Sequence, residues 1–334
     1  SKAAAKLRDS IEAIKNVLQR QAVVNDTSQV DQDVLGYFGA EAGTLVYSVH
    51  IRSGRVIGHR SHFLPMLNPS APDEDVREWL TSFINQYYED NFVPDELLLP
   101  IDLGNDLMRL LESVLKERGE RKSVRVRFPT DKAGHQLVEM ANTNAQSHFS
   151  EYVGKSEAKK KGLEEIRERL GLAESPRRIE CYDISHFQGK ETVASQVVFE
   201  DGAPSKDNYR RYRLRTLEGP NDYAAMREVL MRRFGHEEYE DPQLIVVDGG
   251  KGQLAIALEV LRELGRSEVP VVSLAKARTQ GEFSDSEVSA SEERFFLPGR
   301  SNPVMFKSGS EAFQILVGIR DEAHRFAITY HRKL

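Results

Sequence analysis

The sequence predicts a mixed α/β protein in which two segments each lay down a three-strand meander and then alternate strands with helices. Three observations predict it. Runs with strand-like alternation precede stretches of helical periodicity in the same order twice. Turn residues recur at one offset, Gly54 and Gly202 standing 148 positions apart and Pro94 and Pro242 likewise. The chain, at 334 residues, is also longer than one hydrophobic core usually supports.

The elements follow in order. Leu7, Ile11, Ile14 and Leu18 recur at helical spacing and predict an amphipathic helix within 1–24. The first segment, 31–150, reads as strands near 33–38, 44–51 and 55–63, helix 73–90, strand 96–101, helix 104–118, strand 123–128 and helix 132–149. A separate short helix over 155–170 precedes Pro176 and opens the second segment, 155–334. Strands are expected there at 178–185, 192–200 and 209–216, the latter two joined by the turn Asp201-Gly202. Helix 221–234, strand 243–248, helix 252–264, strand 270–274 and helix 310–328 follow. A meander followed by strand-helix alternation is the element order of an RNase H-like fold, a mixed sheet with helices on both faces. The last helices align as well, HQLVEMANTNAQ (135–146) over FQILVGIRDEAH (313–324), with the difference in offset falling largely in an insert around 278–293. Duplication of a domain accounts for the repeat; coincidence between two ordinary α/β segments is the alternative.

Composition narrows the class. With 40% apolar and 29% charged residues, global disorder is excluded, and no apolar run approaches the roughly 18 residues of a membrane span. A soluble protein is expected. Cys181 is the single cysteine, which excludes an internal disulfide, a cysteine zinc site and an iron–sulfur cluster held by this chain alone, and makes a reducing, cytoplasmic setting the default. A net charge of −6 argues against a protein that coats nucleic acid, but the charge is unevenly placed. Asp285, Glu287, Glu292 and Glu293 sit in one polar insert, Arg210, Arg211, Arg213 and Arg215 form a basic strand, and Arg320, Arg325, Arg332 and Lys333 close the chain. The opening Ser1-Lys2-Ala3-Ala4 reads like the cut edge of a longer chain.

Superimposing the repeats isolates three residues of the second copy. Asp183 falls near Tyr37, Asp248 at Pro100 and His324 at Gln146, so only one copy carries acids and a histidine at these places. Asp183 lies in the middle of a strand, Asp248 ends the apolar strand LIVVD just before Gly249-Gly250, and His324 lies a helical turn after Arg320. Carboxyl ends of strands are where α/β sheets collect ligands. Two carboxylates and an imidazole at one point would form a Mg²⁺ or Mn²⁺ site, and paired ions suit in-line phosphodiester hydrolysis. Structural roles remain open for each: Asp183 as a buried acid paired with an arginine, Asp248 as a helix N-cap, His324 as a core histidine. The loop Gly249-Gly250-Lys251-Gly252-Gln253 lacks the spacing of a nucleotide-binding P-loop; it suits a backbone phosphate of nucleic acid, or is a plain tight turn.

The runs RIECYDISHFQGKETVASQVVFEDG (178–202), YRRYRLRTLEGPNDYAAMREVL (209–230), LIVVDGGKGQL (244–254), FFLPGRSNPV (295–304) and RDEAHRFAITYHRKL (320–334) closely resemble the C-terminal endonuclease region of the UvrC family. The resemblance implies that Asp183, Asp248 and His324 match an Asp-Asp-His metal triad holding Mg²⁺ or Mn²⁺, two ions being expected, and that Asp222 matches a further functional acid. Lys251, His186 and Arg320 match neighbouring motif positions, for which contact with DNA phosphates is expected. The implied reaction is hydrolysis on the 5′ side of a lesion in damaged double-stranded DNA, after hand-over from the partner UvrB of the UvrA/UvrB damage-recognition system. AAAKLRDSIEAI looks like the second half of a helical hairpin that meets UvrB, and residues 31–150 resemble the family's middle region, expected to be an inactive copy. The 3′-incision nuclease would lie upstream, no tandem helix-hairpin-helix module follows Leu334, and TQGEFSDSEVSASEE (279–293) looks like an acidic hairpin extension expected to stay mobile. A catalytically silent DNA- or protein-binding scaffold and a resolvase-type nuclease are the competing readings.

Overall fold

The computed structural model describes residues 30–65, 73–120, 123–186, 192–214, 221–236, 239–276 and 293–331. The expected helix over 1–24, the insert up to residue 292, Arg215, Arg332 and Lys333 lie outside the described residues. The chain divides into two compact units between Gly154 and Lys155.

In the first unit, β1 (Gln32–Ala40), β2 (Gly43–Arg52) and β3 (Arg55–Leu64) form an antiparallel meander, followed by α1 (Asp73–Tyr87), β4 (Glu96–Leu98), α2 (Asn105–Arg118), β5 (Arg125–Arg127) and the first part of α3 (Lys132–Leu170), whose residues from Lys155 on belong to the second unit. The sheet order is β3-β2-β1-β4-β5, with β4 and β5 parallel to β1. Alternation along β1 sends Leu35 to one face, against Leu80 and Ile84 of α1 and Leu111 and Leu115 of α2, and Val34 to the other, against Leu137, Ala141 and Ala145 of α3. In the second unit, β6 (Arg178–His186), β7 (Thr192–Glu200), β8 (Ala203–Pro204) and β9 (Arg210–Leu214) precede α4 (Asp222–Phe234), β10 (Leu244–Asp248), α5 (Lys251–Glu263), β11 (Val271–Lys276), β12 (Glu293–Phe296) and α6 (Glu311–His331). Its order is β12-β11-β10-β6-β7-β8, with β9 also pairing with β7. The first sheet thus runs third, second, first, fourth, fifth, and the second repeats that order when β8 and β9, both paired with β7, are counted together as its third strand and β12 as an added edge; this is the strand order of the RNase H-like fold that the sequence predicts. Here α6 covers the face carrying Cys181 and Val246, and α4 and α5 cover the face carrying Tyr182 and Val247.

One expectation is corrected. The helices foreseen over 132–149 and 155–170 are a single helix, α3, of 39 residues. No proline interrupts residues 150–154, and Gly154, with open space where a Cβ would stand, costs a helix only about 1 kcal/mol. A strand is also added, since β12 pairs antiparallel with β11 at the sheet edge.

The repeat can be read in backbone detail. Ser53-Gly54 (φ 47° and 70°) and Asp201-Gly202 (φ 48° and 76°) adopt the same doubly left-handed turn, each closing the hairpin between second and third strands. Register then fixes the counterparts. Tyr47 lies opposite Gly36, and Ser195, 148 positions after Tyr47, lies opposite Asp183. Asp183 thus corresponds to Gly36, one residue from the Tyr37 expected. There is no room for a side chain at Gly36: a Cβ would stand 2.3 Å from the backbone carbon of Ala141 in α3. The Tyr37 N–H donates to Asn142 Oδ1 of the same helix at 2.9 Å, fixing that close approach.

The same register aligns two buried acids, Asp33 on β1 and Glu180 on β6. Asp33 accepts from Arg52 (2.7 Å) and Tyr88 Oη (2.7 Å) and lies 3.1 Å from His50 Nδ1. Glu180, fully buried, accepts from Arg233 Nη2 (2.8 Å), Arg178 Nε (3.0 Å) and Tyr182 Oη (2.6 Å). Removing one partner of such a pair leaves a charge without compensation. Urea unfolding of Arg233→Leu should show a loss of about 3 kcal/mol, the lower end of that class because Arg178 remains; a loss under about 1 kcal/mol would mean that the pair is not needed. Gly36→Ala should cost about 1–3 kcal/mol or more through overpacking against α3, and an unchanged melting temperature would contradict the close approach.

Candidate active site

Asp183 and Asp248 reach one place because β6 and β10 are adjacent parallel strands. Tyr182 pairs with Val247, and the next residue of each strand is the acid. Both acids have the parity of Cys181 and Val246, so both stand on the face covered by α6. The same parity that buries Tyr182 and Val247 against α4 and α5 turns the carboxylates toward the last helix. Asp183 is largely buried, whereas Asp248, at the carboxyl end of its strand, is open to solvent on one side and withdrawn from water on the other.

From α6, whose Ile315, Leu316, Ile319 and Ala323 bury against the sheet, His324 projects with its Nδ1 3.9 Å from Asp183 Oδ1. At 65% exposure its ring faces solvent. Burial raises the Asp248 carboxyl above the ordinary carboxylate range, and the charges of Asp183 and Glu293 add to this; Arg320 and His324 pull it back. Two acids and an imidazole are thus near enough to act on one another. Among the described residues, no three His, Cys, Asp or Glu side chains already enclose a space for a metal ion, so the trio are neighbours rather than a closed cage. Their donor set, two carboxylate groups and one imidazole in a negatively biased corner, is of the kind that takes a hard divalent cation.

The structural roles left open by sequence fall to other residues. The buried acid of β6 that pairs with Arg233 is Glu180. Gly250, not Asp248, occupies the N-cap of α5 and supplies no side-chain bond. Exposure removes His324 from the core.

The remaining site residues arrive by different routes. Asn221 caps α4, its Oδ1 accepting from the Ala224 N–H at 3.0 Å, which leaves Asp222 in the first turn, where Oδ2 accepts from Gln253 Nε2 at 2.8 Å. Gln253 belongs to α5 and packs under Gly249 (φ 129°), where a Cβ would meet its Cγ at 2.6 Å. Asp222 is therefore tied to the turn that follows Asp248. Lys251 is exposed and donates to the Ser301 carbonyl at 2.9 Å. Arg320, expected at a phosphate, is instead buried: it donates to Glu293 at 2.8 Å and to Asp321 Oδ1 at 2.7 and 3.0 Å. Glu293 is likewise corrected from the mobile insert to a buried position in β12, a place signalled by the apolar residues that follow Arg294. The His186 side chain lies outside the described residues. Sequence reasoning missed Gln253 and Glu293, both of which act through other side chains.

Known proteins resemble this chain in sequence. A family model described as the UvrC RNAse H endonuclease domain matches residues 167–328, and one described as the UvrC Ribonuclease H-like domain matches 31–152. UvrABC system protein C of Bdellovibrio bacteriovorus is 66% identical over 331 residues, covering 99% of this chain and 52% of that protein. Its counterpart in Geobacter metallireducens is 44% identical over 334 residues, covering 99% and 53%. The chain spans about half the length of the curated relatives it matches. Among solved structures, Endonuclease V of Ciona intestinalis aligns at 14% identity and a TM-score of 0.30 over 56% of this chain and 99% of that one, a likeness too distant to bear on the site.

A carboxyl whose pKa is raised in the folded state makes its charged form a cost to folding. That cost is present above the folded value and vanishes as pH falls below the unfolded value of about 3.9. With divalent ions chelated, Asp248→Asn should melt above the parent near neutral pH, and the gap should close below about pH 4. A variant that melts below the parent at neutral pH would show that Asp248 is not held against its own charge.

Proposed function

Since the chain belongs to the UvrC family, we propose that it is the C-terminal part of an excision-repair nuclease that hydrolyses a DNA phosphodiester bond on the 5′ side of a lesion with the aid of Mg²⁺ or Mn²⁺. The observation that carries this reading is the pair of carboxylates on adjacent parallel strands, sharing one face with the His324 imidazole 3.9 Å from Asp183.

Asp183, Asp248 and His324 would hold the cations, two being the number that suits clamping both the attacking and the leaving oxygen. When bound, such ions neutralise phosphate charge and make water a stronger nucleophile. The chain's own groups do the positioning. Asp183 is fixed by its pairing with β7, where Ser195 lies opposite it, one residue past the last pair between β6 and β10. His324 can turn on the exposed face of α6, and the Asp183–His324 separation is small enough for a change of rotamer to close it. Asp222, held by Gln253, would orient a water or a ligand from the other side of the Asp248 turn. Arg320 anchors β12 to α6 through Glu293 and supplies the positive charge that offsets Asp248. Lys251, exposed beside that turn, would meet a backbone phosphate, and His186 is proposed for the same role.

The first unit is proposed to be catalytically silent. At the counterparts of Asp183 and Asp248 it carries Gly36 and Pro100, and α3 occupies the space over Gly36. Damaged duplex DNA and UvrB are the proposed partners, and the cytoplasm the proposed setting. No helix among the described residues is long and apolar enough to cross a membrane.

Asp183→Asn keeps the side-chain volume while removing a negative charge. On a lesion-bearing duplex with UvrB and Mg²⁺, it should lower incision by more than the roughly 10–100-fold typical of losing an outer-shell partner, with an unchanged melting temperature. Incision near the parent rate would remove Asp183 from the site.

A further inference from the structure

The arginines of β9 have no part in the site as described so far, and the sheet register gives one of them a definite place. Asp183 on β6 lies opposite Ser195 on β7, and Ser195 lies opposite Arg211 on β9. Residues paired across a sheet point to the same face, so Arg211 emerges on the face that carries Asp183 and α6. Two strand spacings of about 4.8 Å put its backbone roughly 10 Å from that of Asp183. Arg210 and Tyr212, of opposite parity, point to the other face. Arg213 shares the parity of Arg211 but pairs with Val193, one step further along the row.

The Arg211 guanidinium is also held. It lies over the Phe326 ring at 3.9 Å, and its Nη2 donates to the Phe326 carbonyl at 3.3 Å. Phe326 follows His324 by two residues on α6, and Tyr209 packs edge-on against it at 5.1 Å between centroids. A guanidinium stacked on an aromatic ring keeps its N–H groups in its own plane, directed outward along the surface, and that fork fits phosphate oxygens bidentately. The neighbouring cation is engaged differently: Arg325 donates to both oxygens of Glu322, at 2.7 and 2.6 Å, and Tyr209 Oη donates to the same carboxylate at 3.1 Å. Glu322 is thus paired with Arg325, and Arg211 is an exposed arginine on the face of the carboxylates.

We propose that Arg211 binds a backbone phosphate of the DNA strand being cut, no more than about three nucleotides from the scissile position at 3.4 Å of rise per nucleotide, with Phe326 as the platform that orients it. The inference rests on the nuclease reading of the Asp183 site and adds to it the direction in which the strand leaves that site, across β7 toward the β9 edge. Arg211 makes no contact with the reacting atoms; it is a binding residue.

A phosphate contact has a signature that a structural role lacks, because each one releases counterions and steepens the salt dependence of affinity. The experiment measures anisotropy of a labelled duplex against the chain over a series of salt concentrations, with divalent ions chelated so that nothing is cut. Arg211→Gln keeps the shape and the planar head and removes the charge. It should weaken binding about tenfold and lower the slope of log affinity against log salt by about 0.9. Arg177→Gln, which removes an equal charge from an exposed arginine just before the opposite end of β6, paired there with Asp201, is the control. An unchanged slope in Arg211→Gln, or an equal fall in Arg177→Gln, would overturn the proposal while leaving a parent that binds and incises as a nuclease. A parent that neither binds duplex in a salt-dependent way nor incises it would overturn the nuclease reading itself, and this inference with it.

Discussion

Two negative charges on neighbouring strands are the constraint around which the second unit is built. Parallel pairing of β6 with β10 places Asp183 beside Asp248, and nothing in a sheet favours that arrangement. Charge and packing around it offset the cost. Arg320 sits buried behind the acids, tied to Glu293 on one side and to Asp321 on the other, and His324 stands in front. The Asp248 carboxyl remains above its ordinary range, first because it is withdrawn from water and then because Asp183 and Glu293 are near, against the pull of Arg320 and His324. Two carboxylates held this close and partly out of water are groups that a bound cation would stabilise, in keeping with the proposed role.

The opposite face of the same strands carries the stability. Three residues before each counterpart position, Asp33 and Glu180 are sunk in the sheet and surrounded by arginine and tyrosine donors. Strand alternation lets one element serve both purposes: Glu180 faces α4 and anchors it through Arg233, while Asp183 faces α6. Substitutions on one face therefore leave the geometry of the other largely in place, which is how a strand can hold an acid under repulsion without loosening the sheet around it.

Much of this was legible in the sequence. The shared turn at Gly54 and Gly202 is a local requirement for left-handed backbone, and local requirements leave marks in single residues. Strand order followed from the order of elements, and the three residues proposed for the site were singled out by the absence of their like in the other copy. Other features are products of packing and left no such mark. The counterpart of Asp183 is Gly36 rather than Tyr37 because the span between paired positions of the first two strands is one residue longer in the second unit, Asp183 to Ser195 against Gly36 to Tyr47. A shift of one is invisible to arithmetic on distant glycines and prolines. Arg320 looked like a surface cation because its motif is rich in charge; only tertiary contact with Glu293, from a segment read as mobile insert, buries it. The fusion of two helices into α3 depended on what was missing, a stop signal, and absence is hard to read from propensity.

Gly36 carries a consequence for the history of the molecule. In the first unit the helix has settled onto the strand at the one position where an acid would have to stand, and the fit is made of backbone, which cannot be trimmed by changing a side chain. Placing an acid there would require the helix to retreat first. Such a fit works as a ratchet: with the two backbones closed together, geometry alone keeps a carboxylate from that position, whatever side chains surround it.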